Sequence, residues 1–324
     1  MSPDPIPINR LARRIAGPGA TKTAAMIMLG LTIIDLRDAV GITQKDLAKG
    51  ILVSNSTISR LEKAEAPPEP RTVEAVIEYL QLAEPQRDEL RMLLSRALEP
   101  EWFQRQYSDV TPKYLRRLLG LEAMAIYLTT YDVRLVAGLL QTPEYSSCVI
   151  RTGLHISEWG SPEIAMRLAL RRERQERVFG QAEPPRCVFL MDESVLYRRV
   201  GPDDVMREQM QHMLQIARFD PFVTIRFVLL DRMIAGNEAS MAGGMAHLQF
   251  GHGGLPDLVY VEGYGKADYH PAPETSPEER LKPWPTKEND FERHLQLLLR
   301  ISGEACASPA ASVRMLEEAV ARFS

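Results

Sequence analysis

"LVSNSTISRLEKAE", residues 52–65, sets Asn55, Ser56, Ser59, Arg60 and Lys63 on one side of a short helix and Val53, Ile58 and Leu61 on the other. Ser54 stands where an N-cap is needed, and the pattern carries the helix to about Lys63. Its apolar side needs a partner, and one lies directly upstream. Thr43 precedes "QKDLAKG" (44–50), and Asp46 completes a box-like cap. Leu47 and the small Ala48 supply an inner face, and Ala48 is the place where the two helices are expected to cross closely. Helices over 43–50 and 54–63, joined by a tight turn at 50–54, have the spacing of a helix-turn-helix.

In that arrangement the outer face of the second helix is the informative one. Asn55, Ser56 and Thr57 fill its first turn, with Ser59, Arg60 and Lys63 after them. Short polar side chains at a helix N-terminus allow close approach to base edges in a major groove, and an arginine there can grip a guanine or a phosphate. Thr43 and Gln44, opening the preceding helix, are placed to meet a nucleic-acid backbone. These eight residues are the candidate DNA-binding set.

Working outward, a helix is expected from Ala24 to Val40, stopped by Gly41. "APPEP" (66–70) is a rigid connector, Val73, Val76, Ile77 and Leu80 repeat with helical spacing, and Glu84-Pro85 opens a helix holding Leu90, Leu93, Leu94 and Leu98. Residues 24–100 therefore read as one small all-α domain of five helices. Residues 1–23 read as a flexible basic arm carrying Arg10, Arg13 and Arg14. Residues 1–63 hold nine Lys/Arg against five Asp/Glu, a surplus of +4 in a chain whose net charge is −4, so one face of this module can be basic while the whole is not.

The character changes after "EPEWFQRQYSD" (99–109). Helices are expected near 112–120, 143–152, 161–179, 203–218, 287–301 and 309–322, and strands at 186–192, 223–230, 246–250 and 257–263, with a Pro-rich loop over 271–285. Helices 203–218 and 287–301 are expected to cover one sheet face. The fold class is α+β: an N-terminal helix-turn-helix domain, then an α+β domain over 111–324 with an antiparallel or mixed sheet, suited to dimerisation, partner binding or reception of a signal.

Other chemistry is sparse. Cys148, Cys187 and Cys306 are scattered without metal-ligand spacing, which predicts reduced thiols and a cytoplasmic location. "AAMIMLGLTII" (24–34) is too short to span a bilayer and has no cleavage pattern, so neither a membrane segment nor a signal peptide is expected. His247 and His252 in "HLQFGH" fall on opposite faces of a strand, "GHGG" (251–254) reads as a hairpin connection, and Ser194 lacks a nucleophile context. No catalytic residue, metal or cofactor is expected, and the chain is read as no enzyme. "RRERQER" (171–177), with Arg167, is the densest charge run; a solvated face balanced by Glu173 and Glu176 is the plainer reading, a second DNA contact or a partner surface the other.

Residues 41–80 resemble the Xre/lambda-repressor-like DNA-binding domain, through Thr43-Gln44, Leu47-Ala48, Val53-Ser54, Ser56-Thr57-Ile58-Ser59 and Leu61-Glu62. Leu52 stands where that family usually has Gly, so either residue 52 carries left-handed strain or the turn is shifted. The first helix is more apolar than the family's usual basic one, which suggests a face buried against another subunit or domain. "LEAMAIYLTTYDVRLVAGLLQTPEYSSCVIR" (121–151) is similar to the signature of actinobacterial Xre regulators with an antitoxin-like C-terminal domain, with Ala137 in place of Pro; Val259-Tyr260-Val261-Glu262 match a later strand of it. The resemblance implies a transcriptional regulator on double-stranded DNA, expected as a homodimer on a palindromic site. It also implies a small partner protein encoded nearby, and the alternative that binding this partner is the main role and DNA binding a secondary autoregulation. A small-molecule effector is the remaining candidate partner.

Overall fold

The computed structural model describes residues 21–154, 161–232, 241–251, 255–263, 265–272 and 289–324. Most of the N-terminal arm, the "GHGG" connection with His252, His155 and nearly all of the Pro-rich stretch lie outside them. The chain divides into two compact units, one of Met1–Gln106 with Phe250–Leu255, the other of Tyr107–Gln249 with Pro256–Ser324.

The first unit is helical: α1 (Lys22–Ala39), α2 (Gln44–Gly50), α3 (Asn55–Glu62), α4 (Pro70–Tyr79), α5 (Glu84–Leu98) and α6 (Trp102–Gln106). Glu101, almost fully buried, closes the start of α1 by accepting from the Thr23 N–H at 2.7 Å and the Thr23 hydroxyl at 2.5 Å. A carboxylate beside the unpaired N–H groups of a helix start is favourable for both charge and hydrogen bonding. The apolar side of α1, with Met28, Leu29, Ile33 and Leu36 buried, packs on α3 and α5. The unusual apolarity of this helix thus has an internal use within the helical unit.

Leu47, Ala48, Ile58, Leu61, Val73, Val76 and Ile77 are buried as the pattern requires, while Val53 and Leu80, both at helix ends, are only half-buried. The tightest crossing is not at Ala48. A Cβ at Gly30 in α1 would overlap the backbone oxygen of Glu62 and lie 2.9 Å from that of Leu61. Only a glycine lets α1 meet the end of α3 so closely.

Helices α1 to α4 end alike. Gly41, Leu52, Ala64 and Gln81 all have positive φ, and at each the next residue's N–H reaches back five residues, as in Val53 to Ala48 (2.9 Å) and Glu65 to Arg60 (3.0 Å). This is the Schellman stop, which favours glycine. Three of the four positions lack it. Leu52 keeps the left-handed conformation (φ 57°) and is 92% exposed, so the turn is strained rather than shifted.

The second unit is built on a six-stranded mixed sheet in the order β3-β2-β1-β4-β5-β6, with β1 (Tyr127–Asp132), β2 (Arg186–Asp192), β3 (Val223–Val228), β4 (Gly244–Gln249), β5 (Leu258–Glu262) and β6 (Ala267–Pro271). β1, β2 and β3 run parallel because helical crossovers join them: α8 (Pro143–Leu154) and α9 (Pro162–Phe179), then α10 (Asp203–Phe219). β4, β5 and β6 add antiparallel. The short α7 (Arg116–Leu121) precedes β1, and α11 (Asp290–Arg300) and α12 (Pro309–Arg322) end the chain. Tyr131, Leu190, Val228 and Met245 form a core with Leu298 of α11 and with Ile301 and Ala305 after it, while α10 packs with α12 and β3. β1 and β6 are strands that hydrophobic alternation does not reveal: Leu128 and Tyr131 of β1 are buried three residues apart, hence on opposite faces, and β6 is a short polar edge strand ending in proline.

The segment Val136–Thr142 is a buried turn pinned by glutamines. Gln209, fully buried on α10, donates to the Leu140 carbonyl and accepts from the Thr142 N–H, both at 2.8 Å; Gln175 of α9 donates to the Gly138, Leu139 and Gln141 carbonyls. Within "RRERQER", Arg172 pairs with Glu176 and Arg177 with Glu173 along the exposed face, and Arg167 pairs with Glu163. Arg174 instead turns inward onto buried Glu122, with bonds of 2.7 and 2.9 Å, and Arg171 onto Gln141. The solvated-face reading therefore holds for part of the run and fails for Arg171 and Arg174.

Alanine is favoured over glycine inside a helix by about 1 kcal/mol, so Gly30→Ala would stabilise an unobstructed site. Here overpacking of about 1–3 kcal/mol should prevail and lower the thermal midpoint. Leu52→Gly should do the reverse, adding up to about 1 kcal/mol by removing left-handed strain. Denaturant titration of both variants against the parent checks the two signs.

Candidate nucleic-acid interface

Each helix of the motif is set by its cap. Thr43 Oγ1 accepts from the Asp46 N–H (3.2 Å), and Asp46 Oδ2 accepts from the Thr43 N–H (3.1 Å) and hydroxyl (2.6 Å). These bonds from Thr43 hold the Asp46 carboxyl below its usual pKa. Ser54 caps α3 by accepting from the Thr57 N–H (3.1 Å), and its hydroxyl lies 2.8 Å from those of Ser56 and Thr57.

The mutual angle of the helices is set by Glu62. This buried carboxylate at the end of α3 accepts from Arg37 Nε of α1 at 2.9 Å and from Gln44 Nε2 of α2 at 2.7 Å. Arg37 also donates to the Ile42 carbonyl (2.9 Å) and meets Asp38 at 2.6 Å. One guanidinium thus ties the end of α1, the loop before α2 and the end of α3. Gln44 spends one amide hydrogen on Glu62 and keeps a second for another acceptor.

On the outside, Thr43, Asn55, Ser56, Arg60 and Lys63 are exposed, and Gln44, Thr57 and Ser59 are half-buried. Five of the eight therefore lie on α3 and Lys63 is its C-cap, with Gln44 tied to the end of α3 through Glu62 and Thr43 capping the preceding helix. Thr57 and Ser56 are also engaged in the cap. Arg60 is held loosely, its Nε donating to the Ser56 carbonyl at 3.4 Å. Lys45 and Lys49, which reading for the inner face of α2 passes over, are exposed one turn apart on that helix. Among the described residues, none of Lys45, Lys49, Arg60 and Lys63 forms an ion pair with a carboxylate. The acidic residue of α3, Glu62, faces inward and is neutralised by Arg37. What remains outside is positive, with short polar groups at the start of α3 that leave room for a neighbouring surface.

Breaking the internal tie should cost more than breaking any outer contact. Glu62→Ala leaves Arg37 (14% side-chain exposure) without its buried partner; removal of one member of a buried pair costs about 3–5 kcal/mol. The helical unit should lose stability on that scale in a urea titration, whereas Lys63→Ala should change it by less than about 0.5 kcal/mol.

Residues 29–90 match the family described as "Helix-turn-helix domain". Residues 115–280 match the family described as "Domain of unknown function (DUF5753)". No curated protein and no solved structure matches the chain. Among the described residues no helix is long and apolar enough to cross a membrane. The helix-turn-helix match, falling on the capped and outwardly basic pair α2–α3, supports a DNA-binding regulator in that general sense. The second match spans just over half of the sequence, and the protein belongs to the DUF5753 family, carrying a helix-turn-helix domain ahead of it.

Proposed function

We propose that the protein is a sequence-specific, Xre-type transcriptional regulator that works in the cytoplasm as a homodimer on a palindromic site, without catalysing a reaction. The observation that carries this reading is the outer surface of α2–α3: four exposed cations, Lys45, Lys49, Arg60 and Lys63, against the single exposed acid Asp46 of α2, beside a helix start bearing Asn55 and Ser56. In the complex α3 lies in the major groove. Asn55, Ser56, Thr57, Ser59 and Arg60 meet base edges, and Thr43, Gln44, Lys45, Lys49 and Lys63 meet phosphates. A half-site offers few base contacts to one short helix. Pairing two copies sets two recognition helices about 34 Å apart on one side of the duplex, which is the geometric reason for a dimer. The second unit holds the copies together or receives a signal.

Arg60→Ala distinguishes the two kinds of contact. Loss of a base contact should weaken the preferred site by about 1–3 kcal/mol while other sequences bind as before. Loss of a phosphate contact should weaken all sequences alike and reduce the slope of log K against log salt by about one. Asn55→Ala and Lys49→Ala should behave as the first and second cases. Selected DNA fragments, fluorescence anisotropy at several salt concentrations and sedimentation of the full chain at micromolar concentration make the test. Unaltered affinity in all three variants would refute the surface, and a monomer that still binds its site with full affinity would refute the dimer.

A further inference from the structure

The second unit contains a cavity of about 340 Å³ on the sheet face that bears Leu128 and Phe189, bounded by α7, α8, α9 and the Val136–Gln141 turn. Two arginines of α9, one turn apart, line it and are used differently. Arg174 lays its Nε–NH2 edge along the carboxylate of Glu122, with bonds of 2.7 and 2.9 Å. Arg171 spends only NH1, which donates to Gln141 Oε1 and, at 3.3 Å, to Ser146 Oγ. Among the described residues its Nε and NH2 meet no acceptor, and neither is sealed off, so this edge opens on the cavity.

The charge on Arg171 is correspondingly uncompensated. The groups that bear on it are Arg174, a second cation, and the phenols of Tyr145 and Tyr114, which burial keeps neutral. Desolvation first, and then Arg174, lower its pKa to about 10, so it stays cationic at neutral pH. The carboxyls of the lining are engaged elsewhere, and none is among those groups. Glu122 holds Arg174, Asp132 accepts from the Thr130 hydroxyl at 2.9 Å, and Glu262 accepts from the Tyr260 hydroxyl at 3.1 Å. Asp132 and Glu262 also border, with Arg134, the groove that adjoins the cavity, so side chains of both signs stand there. A desolvated cation without a counter-charge is costly, and a bound anion lifts that cost.

The neighbours of Arg171 are otherwise apolar. Val149 follows Ser146 by one turn on α8, and Leu118 follows Tyr114 by one turn at α7; Val149, Tyr114 and Leu118 all line the cavity. A cavity of this size, lined by apolar side chains with a few placed polar groups, is the usual form of a small-molecule site. One guanidinium balances one negative charge, and its Nε and NH2 present two parallel N–H groups that match the two oxygens of a carboxylate. We propose that this cavity binds a small monocarboxylate with an apolar body, its oxygens on the Nε–NH2 edge of Arg171 as those of Glu122 lie on Arg174, and its body against Val149, Leu118 and Phe189. A phosphate dianion brings a second charge that no group here balances. Service of the site as the signal input rests on the regulator reading above; the binding itself does not.

The test uses the full chain with phenylacetate and 4-methylpentanoate. The controls are phenylacetamide, the neutral match of the first, and inorganic phosphate. Calorimetric titration and thermal shift should show saturable binding of at least one carboxylate in the millimolar range or tighter, with both controls at least about tenfold weaker, as loss of a charge-assisted hydrogen bond requires. Arg171→Lys, which keeps the charge and loses the two-pronged edge, and Arg171→Gln should each weaken that carboxylate at least about tenfold. Val149→Phe fills the cavity from its half-buried wall and should do the same, while Arg172→Gln, on the exposed side of α9, should change nothing. The proposal is overturned if neither carboxylate binds in the millimolar range, if the amide or phosphate binds as tightly, or if Val149→Phe or a folded Arg171 variant binds like the parent. Where the Arg171 variants lose their cooperative melt, Val149→Phe and the parent's preference for acid over amide decide. DNA affinity is measured separately, so loss of the regulator reading and loss of this one are distinct outcomes.

Discussion

A single buried carboxylate organises the helix-turn-helix. Glu62 lies where α1, α2 and α3 converge, and a charge in that position is tolerable only because Arg37 and Gln44 both donate to it. The desolvation cost of such a pair is large, and charge-assisted bonds of good geometry offset it. What the tie provides is orientation more than stability. It fixes the end of α3 against the start of α2, and Gly30 permits α1 to close over the junction at backbone contact. Drawing the acid of α3 inward has an electrostatic consequence: the exposed side of α3 keeps Arg60 and Lys63 and carries no carboxylate of its own. Packing and surface potential are thus two results of one residue's placement.

The helical unit accepts strain at its stops. Leu52, Ala64 and Gln81 adopt a conformation that costs an L-residue about 1–2 kcal/mol, since Cβ crowds the following carbonyl. The Schellman bonds and the packing beyond each stop over-determine these turns, so the chain holds them without glycine. At Leu52 a bulky apolar side chain is left 92% exposed between the two helices of the motif. Glycine there would relieve the strain and remove that exposed side chain.

In the second unit, α9 has two sides with different physics. Its exposed arginines pair with glutamates one turn away, contacts worth a few tenths of a kcal/mol each at a surface. Its inner side turns Arg174 onto the buried Glu122, Arg171 onto Gln141 and Ser146, and Gln175 onto the carbonyls of the Val136–Thr142 turn. Gln175 and Gln209, with Gln141 donating to the Val136 carbonyl, hold a turn whose backbone would otherwise be buried unpaired. The turn in turn walls the cavity. The parallel half of the sheet, made by helical crossovers, and the antiparallel half, made by direct returns, meet at β1, so this strand carries both the main core and the cavity floor.

Local signals were sufficient for the helical motif. The caps at Thr43 and Ser54, the stop at Gly41 and the burial of Leu47, Ile58, Leu61, Val73 and Val76 follow from periodicity and capping chemistry, which act within one or two turns of chain. So do β2 and the mixed α+β character of the second unit. What only the tertiary structure decided are relations between residues far apart in the chain. Glu62 with Arg37, Thr23 with Glu101, Gly30 against α3, and Arg174 with Glu122 join positions whose pairing leaves no local trace. β1 and β6 escaped for the same reason. A central strand buried on both faces has no alternation to read, and an edge strand borrows its conformation from its neighbour. Sequence spacing put Arg167, Arg171 and Arg174 on one helical face. Whether a face meets solvent or a sheet depends on what packs against it, and that is settled only when the sheet is assembled.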